Sequence, residues 1–221
     1  MGDKTLFATA RLTESIAYSA AERQADAVVQ ICANLLAFSG TVWLVLHASS
    51  ATRLSLAIYG FGLVAVFASS LAYTFAPHRG SKELLRRLDH AMIFVMIAGT
   101  CTPLAAHRLP YPWNNIVLLT VWMGAVLGIT LKCMFPRRFE NAGLILCVAL
   151  GLSGLATLWL MHAMMTATNL GLLFAGACVY LIGVGVLLLN RVRFHNAGWH
   201  ALVLIAASLH FVAIARELVT S

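Results

Sequence analysis

The sequence predicts an all-α membrane protein: a bundle of seven transmembrane helices with the N-terminus in the cytoplasm and the C-terminus outside. Three observations carry that expectation. Of 221 residues, 61% are hydrophobic and only 10% charged, too little polar surface to cover a water-soluble globule of this size. Seven apolar segments, each close to the ~20 residues that a bilayer crossing needs, follow one another with short connections. Twelve of the 15 Lys and Arg fall on one side of the resulting topology, against Arg53, Arg108 and Arg216 on the other, and the positive-inside rule assigns the richer side to the cytoplasm.

In chain order, residues 1–24 mix charged and apolar positions, with Leu12 and Ile16 at helical spacing, which fits a short helix at the membrane interface. The spans are expected at 25–47, 54–76, 88–107, 114–134, 141–161, 167–189 and 198–217. Turn chemistry separates them: Ser49-Ser50, Pro77 to Gly80, Pro110 to Pro112, Pro136 to Asn141, Thr166 to Asn169 and Asn190 to Ala197. None is long enough for a separate domain, so residues 25–221 read as one transmembrane unit. Trp43, Trp113, Trp159 and Trp199 sit near helix ends, where interfacial aromatics belong. Gly124 and Gly128 form a GxxxG face on the fourth segment, and Gly171, Gly176, Gly183 and Gly185 thin the sixth; both patterns read as close helix packing. No internal repeat supports an inverted-repeat transporter.

Composition also excludes function classes. The net charge of +7 is scattered among hydrophobic segments and makes no basic face with interleaved aromatics, so nucleic acid is not an expected partner. Cys32, Cys101, Cys133, Cys147 and Cys178 are odd in number, lie in apolar segments and include no CxxC pair, which implies neither a disulfide frame nor a cysteine zinc site. Charges at Asp3, Lys4, Arg11, Glu14, Glu22, Arg23 and Asp26 interrupt every early apolar run, against the profile of a cleaved signal peptide.

The stretch with most chemistry is Lys82 to Pro103, KELLRRLDHAMIFVMIAGTCTP. Asp89 stands where the third span is expected to begin, and an ionisable group at that depth marks either a function or a helix start with the acid on the positive end of the dipole. On the predicted topology the second span ends near Thr74 while the third and seventh begin near Asp89 and His200, all at the cytoplasmic level. Ser70 and Thr74 are four residues apart, as are Asn196 and His200, so each pair projects from one helix face, about 40° apart. A zinc hydrolase would place ligands at such a level, with a carboxylate to orient the metal-bound water.

The run LRRLDHAMIFVMIAGTCTP, Leu85 to Pro103, resembles the LDHxxI...IAGTYTP signature of the hemolysin III family, part of the progestin and adipoQ receptor superfamily. Trp199-His200 and His210-Phe211 are similar to that family's closing WH...HF pattern. The resemblance covers nearly the whole chain and implies a zinc ion held by three histidines, one from an SxxxH motif on the second helix and two from an HxxxH motif on the seventh, with the Asp of the third helix beside the bound water. In this chain the first motif falls on Ser70 to Thr74 and reads SLAYT, and the second falls on Asn196 to His200 and reads NAGWH. Thr74 and Asn196 therefore stand at ligand positions, and only His200 remains of the three imidazoles, with Ser70 and Asp89 as companions. The N-terminal E..N...H pattern is also changed, with Ser15, Tyr18 and Glu22 at the corresponding positions, and GTYTP has become GTCTP through Cys101.

A Thr hydroxyl or Asn amide is a poor zinc ligand beside imidazole. The expectation is therefore a hemolysin III-like protein of the cytoplasmic membrane with a degenerate metal site and no cofactor, serving as a structural, lipid-binding or accessory subunit. Its partners are membrane lipids and other membrane proteins. The alternative is a zinc-dependent lipid amide hydrolase with Asp89 and Ser70 in catalysis, His200 retained, and ligands recruited from His78, His90, His195 or Glu22. His195 precedes His200 by five residues, about 140° around a helix, so the two share a metal only if the chain between them is irregular. Other arrangements open to these positions are an outer metal site at His47, His107 and His162, a haem between His90 and His200, and hydrogen bonds across helices from His200 and His210. A transporter has little support, because apart from Asp89 and His210 little buried charge is expected.

Overall fold

The computed structural model describes residues 19–76, 79–135, 140–189 and 192–220. The first helix is opened by Ser19, whose hydroxyl accepts from the Glu22 N–H at 3.2 Å while the Glu22 carboxylate accepts from the Ser19 N–H at 2.9 Å. This reciprocal cap satisfies two donors that a helix start leaves open. Seven helices follow in order: α1 (Ala20–His47), α2 (Arg53–Thr74), α3 (Arg79–Arg108), α4 (Trp113–Met134), α5 (Glu140–Met161), α6 (Ala167–Leu188) and α7 (His195–Leu218). All seven are long and apolar enough to cross a membrane, and no strand occurs among the described residues. The interfacial segment expected before Ser19, with Ser15 and Tyr18, lies outside the described residues.

Two helix starts differ from expectation in ways that matter for the site. α3 begins at Arg79 rather than 88, because Glu83 pairs with Arg86 at 3.0 Å and Arg87 at 3.5 Å, and such i,i+3 and i,i+4 pairs turn a basic run into good helix. Asp89 therefore sits about three turns inside α3, and the helix-start reading of this residue is corrected. α7 begins at His195 and is regular through His200, so these two side chains diverge.

The helices alternate in direction. At one end, called here the near end, Gln30 of α1 meets Thr74 at the close of α2 and His200 near the start of α7, and Arg87 of α3 donates to the Cys133 carbonyl of α4 at 3.1 Å. At the far end, Ser55 of α2 meets His107 of α3 at 2.9 Å. α3 touches α2, α4, α5 and α7, and α1 closes the ring against α7.

The tightest seam joins α2 and α3. A Cβ on Gly62 would lie 3.1 Å from the Val95 carbonyl oxygen, and one on Gly99 3.2 Å from that of Ile58; backbone cannot yield, so only glycine permits this approach. The GxxxG face of α4 is used inside the molecule, Gly124 against Leu150 of α5 and Gly128 against Phe94 of α3. On α6, Gly176 faces His210 and Gly183 faces Trp199, while Gly171 and Gly185 face open space. Trp199 is thus packed between helices and is not an interfacial anchor, whereas Trp43, Trp113 and Trp159 are exposed. Leu44, Leu56, Tyr59, Phe67, Phe94 and Ile214 are buried in the core, and Leu35, Leu46, Leu54 and Phe61 face outward, as residues facing lipid do.

The far end holds a polar cluster that sequence reading assigned to topology alone. Arg108 Nε lies 2.7 Å from Glu217 Oε1, and the guanidinium also donates to the Glu217 carbonyl. Asn169 donates to Glu217 Oε2 at 2.6 Å and accepts from Arg216 Nε at 3.1 Å. Glu217 is buried, and this network ties α3, α6 and α7 together.

Candidate functional site

Glu22, Asp26 and Gln30 recur every fourth residue along α1, so they form one inward stripe, and all three are buried, Gln30 completely. α2 adds Ser70 and Thr74 from one face of its last turns, α3 adds Asp89, and α7 adds Asn196 and His200. Except for Glu22 and Gln30, these residues line one cavity.

His200 is the hub. Its Nδ1 lies 2.5 Å from Asp26 Oδ1, and its Nε2 lies 2.9 Å from Ser70 Oγ. A carboxylate accepts only, so the Nδ1 position carries a hydrogen, and in the neutral ring Nε2 then takes the Ser70 hydroxyl. Asp89 lines the same cavity as Ser70. Gln30 Nε2 donates to Thr74 Oγ1 at 2.9 Å and lies 3.2 Å from His200 Nδ1; with Nδ1 donating to Asp26, that second approach is donor against donor. Gln30 Oε1 has no protein partner.

These residues do not fit a zinc ion. Zinc is bound through imidazole lone pairs, thiolates or carboxylates, with at least three protein ligands. Thr74 and Asn196 stand where the resemblance implies two imidazoles, and both ring nitrogens of His200 are engaged within the protein. The substitute ligands do not converge either. Glu22 spends one carboxylate oxygen on Ser19 and the other on the Phe194 N–H at 2.9 Å, and His195 is held by the Val192 carbonyl at 3.0 Å. His78 lies outside the described residues. His90 lines the cavity, but His200 has no free nitrogen to share a metal or a haem with it. Among the described residues, no group of three His, Cys, Asp or Glu side chains gathers in the way a metal requires.

The far-end histidines are likewise occupied separately. His47 bonds the Trp43 carbonyl at 2.9 Å and stacks on that ring, His162 does the same with Trp159 at 2.7 Å, and His107 meets Ser55. His210 donates from Nε2 to the Leu173 carbonyl of α6 at 3.0 Å and stands edge-on to Tyr180.

Asp26 and Gln30 are members of the hydrogen-bonded cluster that sequence reasoning missed, and buried charge is greater than expected: Glu22, Asp26 and Glu217 are all within the bundle. The available signal was the four-residue repeat of polar side chains from Glu22 in an otherwise apolar helix.

The cavity itself is ≈ 940 Å³, at the upper end of the ~300–1,000 Å³ usual for small-molecule sites. Its near-end mouth carries Arg23, Lys82 and Arg86, and its depth is walled by Phe94, Leu104, Met161, Leu173, Ala177 and Tyr180. From Asp89 to Leu104 it follows α3 for about 22 Å at 1.5 Å per residue, most of the ~30 Å hydrocarbon thickness of a bilayer. A polar cluster thus stands at one end of a long apolar chamber.

A family model described as Haemolysin-III related matches residues 27–211. The chain is 27% identical over 197 residues to the hemolysin-3 homolog of Bacillus subtilis (strain 168), covering 87% of this chain and 92% of that one. Hemolysin-3 of Bacillus cereus is 26% identical over 197 residues, covering 87% and 90%. The human monocyte to macrophage differentiation factor is 25% identical over 172 residues, covering 74% and 70%. With a model match across most of its length and seven apolar helices, the chain belongs to the haemolysin-III related family of multi-pass membrane proteins.

Proposed function

We propose that this protein binds a membrane lipid in its interior, with an acyl chain in the apolar chamber and the polar end against the near-end cluster, and that it does so without a metal ion. The observation that carries the reading is the cavity, whose apolar length ends at Asp26, Ser70, Asp89 and His200 beneath the basic mouth. Twelve of the 15 Lys and Arg, counted by the connections they occupy, support a near end in the cytoplasm, and the family's bacterial members support the cytoplasmic membrane as its location. A structural or accessory role in that membrane follows if the lipid is held and not consumed. Among the described residues no three His, Cys, Asp or Glu side chains gather to hold the zinc of a hydrolase, which favours the metal-free reading.

Native mass spectrometry and metal analysis of the purified parent protein test both halves. About one bound lipid per chain is expected, displaced when Ala177→Trp fills the chamber, together with metal far below one equivalent. A lipid-free parent, or a lipid occupancy that Ala177→Trp leaves untouched, refutes the binding site. One equivalent of tightly held zinc refutes the metal-free reading.

A further inference from the structure

We infer that Ser70, His200 and Asp26 form a metal-free nucleophile relay that cleaves an acyl bond of a lipid in the chamber. This rests on the lipid-binding reading above and adds turnover to it. The bonds run Asp26 Oδ1 to His200 Nδ1 at 2.5 Å and His200 Nε2 to Ser70 Oγ at 2.9 Å. That order, with the acid on one ring nitrogen and the hydroxyl on the other, is the order a serine nucleophile needs: the acid fixes the tautomer and orients the ring, and the free nitrogen takes the hydroxyl proton. Asp26 is 3% exposed, so the ring is held from a site that bulk water scarcely reaches. Ser70 lines the chamber, where an acyl carbon of a bound lipid can come to it.

The substituted ligand positions supply the other requirement, donors for the negative charge that develops on the acyl oxygen. Thr74, one turn after Ser70, accepts from Gln30 and keeps its own hydroxyl hydrogen to give. Asn196, one turn before His200, lines the same chamber with an amide that donates. Replacing two imidazoles by a hydroxyl and an amide removes ligands for a Lewis acid and installs neutral hydrogen-bond donors. Asp89, on the wall of the same chamber, opposes negative charge there when ionised.

In the first half-reaction Ser70 Oγ bonds to the acyl carbon as its proton passes to His200 Nε2. The tetrahedral intermediate then expels the lipid alcohol or amine, which takes that proton. In the second half-reaction water, the only co-reactant, gives a proton to His200 and adds its oxygen to the acyl-Ser70 carbon. Ser70 leaves with the proton from His200, and a carboxylic acid is released. No electron is transferred. Ser70, His200, Thr74 and Asn196 touch the reacting atoms, and Asp26 is a positioning residue.

The test is covalent labelling of the detergent-purified parent protein, with chelator present, by a fluorophosphonate bearing a long alkyl chain, followed by peptide mapping. One label on Ser70 is expected, absent in Ser70→Ala. Asp26→Asn slows labelling by roughly 10⁴-fold, far beyond any loss of folded protein at the assay temperature, and Asp26→Glu restores part of it. Thr74→Val slows it by about 10²- to 10³-fold and Thr74→Ser restores it. Asp89→Asn speeds labelling, the reverse of what a metal-water mechanism with Asp89 as its base requires. An unlabelled Ser70 in a parent protein that still carries lipid overturns the relay and leaves the binding reading intact. Absence of bound lipid overturns that reading instead. Labelling that the chelator abolishes, or that Asp89→Asn abolishes, also overturns the relay.

Discussion

Removing either member of the Asp26–His200 pair should destabilise the bundle, and removing both should cost much less than the two single losses together. The bond is 2.5 Å long, with side-chain exposures of 4% for Asp26 and 15% for His200, so neither partner can exchange it for full hydration. A hydrogen bond to a charged group contributes about 1.5–3 kcal/mol net, and breaking a fully buried pair costs roughly 3–5 kcal/mol because the survivor is stranded. In Asp26→Ala the ring loses its charged partner, and Nδ1 keeps only Gln30 Nε2 at 3.2 Å, a donor from which it can accept only by moving its hydrogen to Nε2 and giving up the Ser70 hydroxyl as donor. Each single substitution is therefore expected to cost about 3 kcal/mol, between those ranges, and to lower the unfolding temperature by ~6–12 °C at 2–4 °C per kcal/mol. Thermal unfolding of Asp26→Ala, His200→Ala and the double variant in detergent completes the cycle, with an expected coupling of about 2 kcal/mol. Additivity within ~0.5 kcal/mol would show the two side chains to be energetically independent, and the reasoning about the hub would fail.

Three further outcomes are expected. Thr74→His combined with Asn196→His rebuilds three imidazoles, with Asp26 already supporting the ring of His200; zinc at about 100 times its Kd should then stabilise the variant by ~2.7 kcal/mol, and a zinc-insensitive unfolding temperature would mean the three positions do not converge. Glu217→Ala strips Arg108 and Asn169 of their shared partner and should cost about 3 kcal/mol, read by thermal unfolding, whereas a loss below ~0.5 kcal/mol would make the far-end network surface-like. Gly99→Val pushes a branched side chain against the Ile58 carbonyl, where a Cβ alone would lie at 3.2 Å, and overpacking of about 1–3 kcal/mol should appear in the same assay; an unchanged midpoint would show that the α2–α3 seam can open without cost.

The seven crossings were legible because hydropathy is summed over about 20 residues and tolerates local error. The start of α3 was not. Arg79, Lys82, Arg86 and Arg87 read as a basic loop on charge alone, yet Glu83 lies at the right spacing to pair two of them within a helix. The same limit hid the far end: Arg108 and Arg216 serve as topology markers on any count of charge, and nothing in the sequence joins Arg108 to Glu217 of α7 or Arg216 to Asn169 of α6.

The site shows where such reading stops and why. A helix with lipid outside and apolar neighbours inside is hydrophobic all round, so its pattern does not reveal which face turns inward. Only the polar residues mark that rotation. Ser70 with Thr74 and Asn196 with His200 marked it for α2 and α7, because each pair stands four apart and was read as one face. Glu22, Asp26 and Gln30 carried the same mark for α1, but the span expected to begin at residue 25 left Glu22 in the interfacial segment, apart from the other two, and the inward stripe went unread. Once α1 is turned so that Asp26 meets His200, Thr74 and Asn196 at positions where the resemblance implies imidazoles no longer describe a site merely emptied. The ring that remains is gripped on both nitrogens, and a metal could take it only by displacing Ser70 or Asp26. The chemistry left to the cluster is the chemistry of that pair of hydrogen bonds.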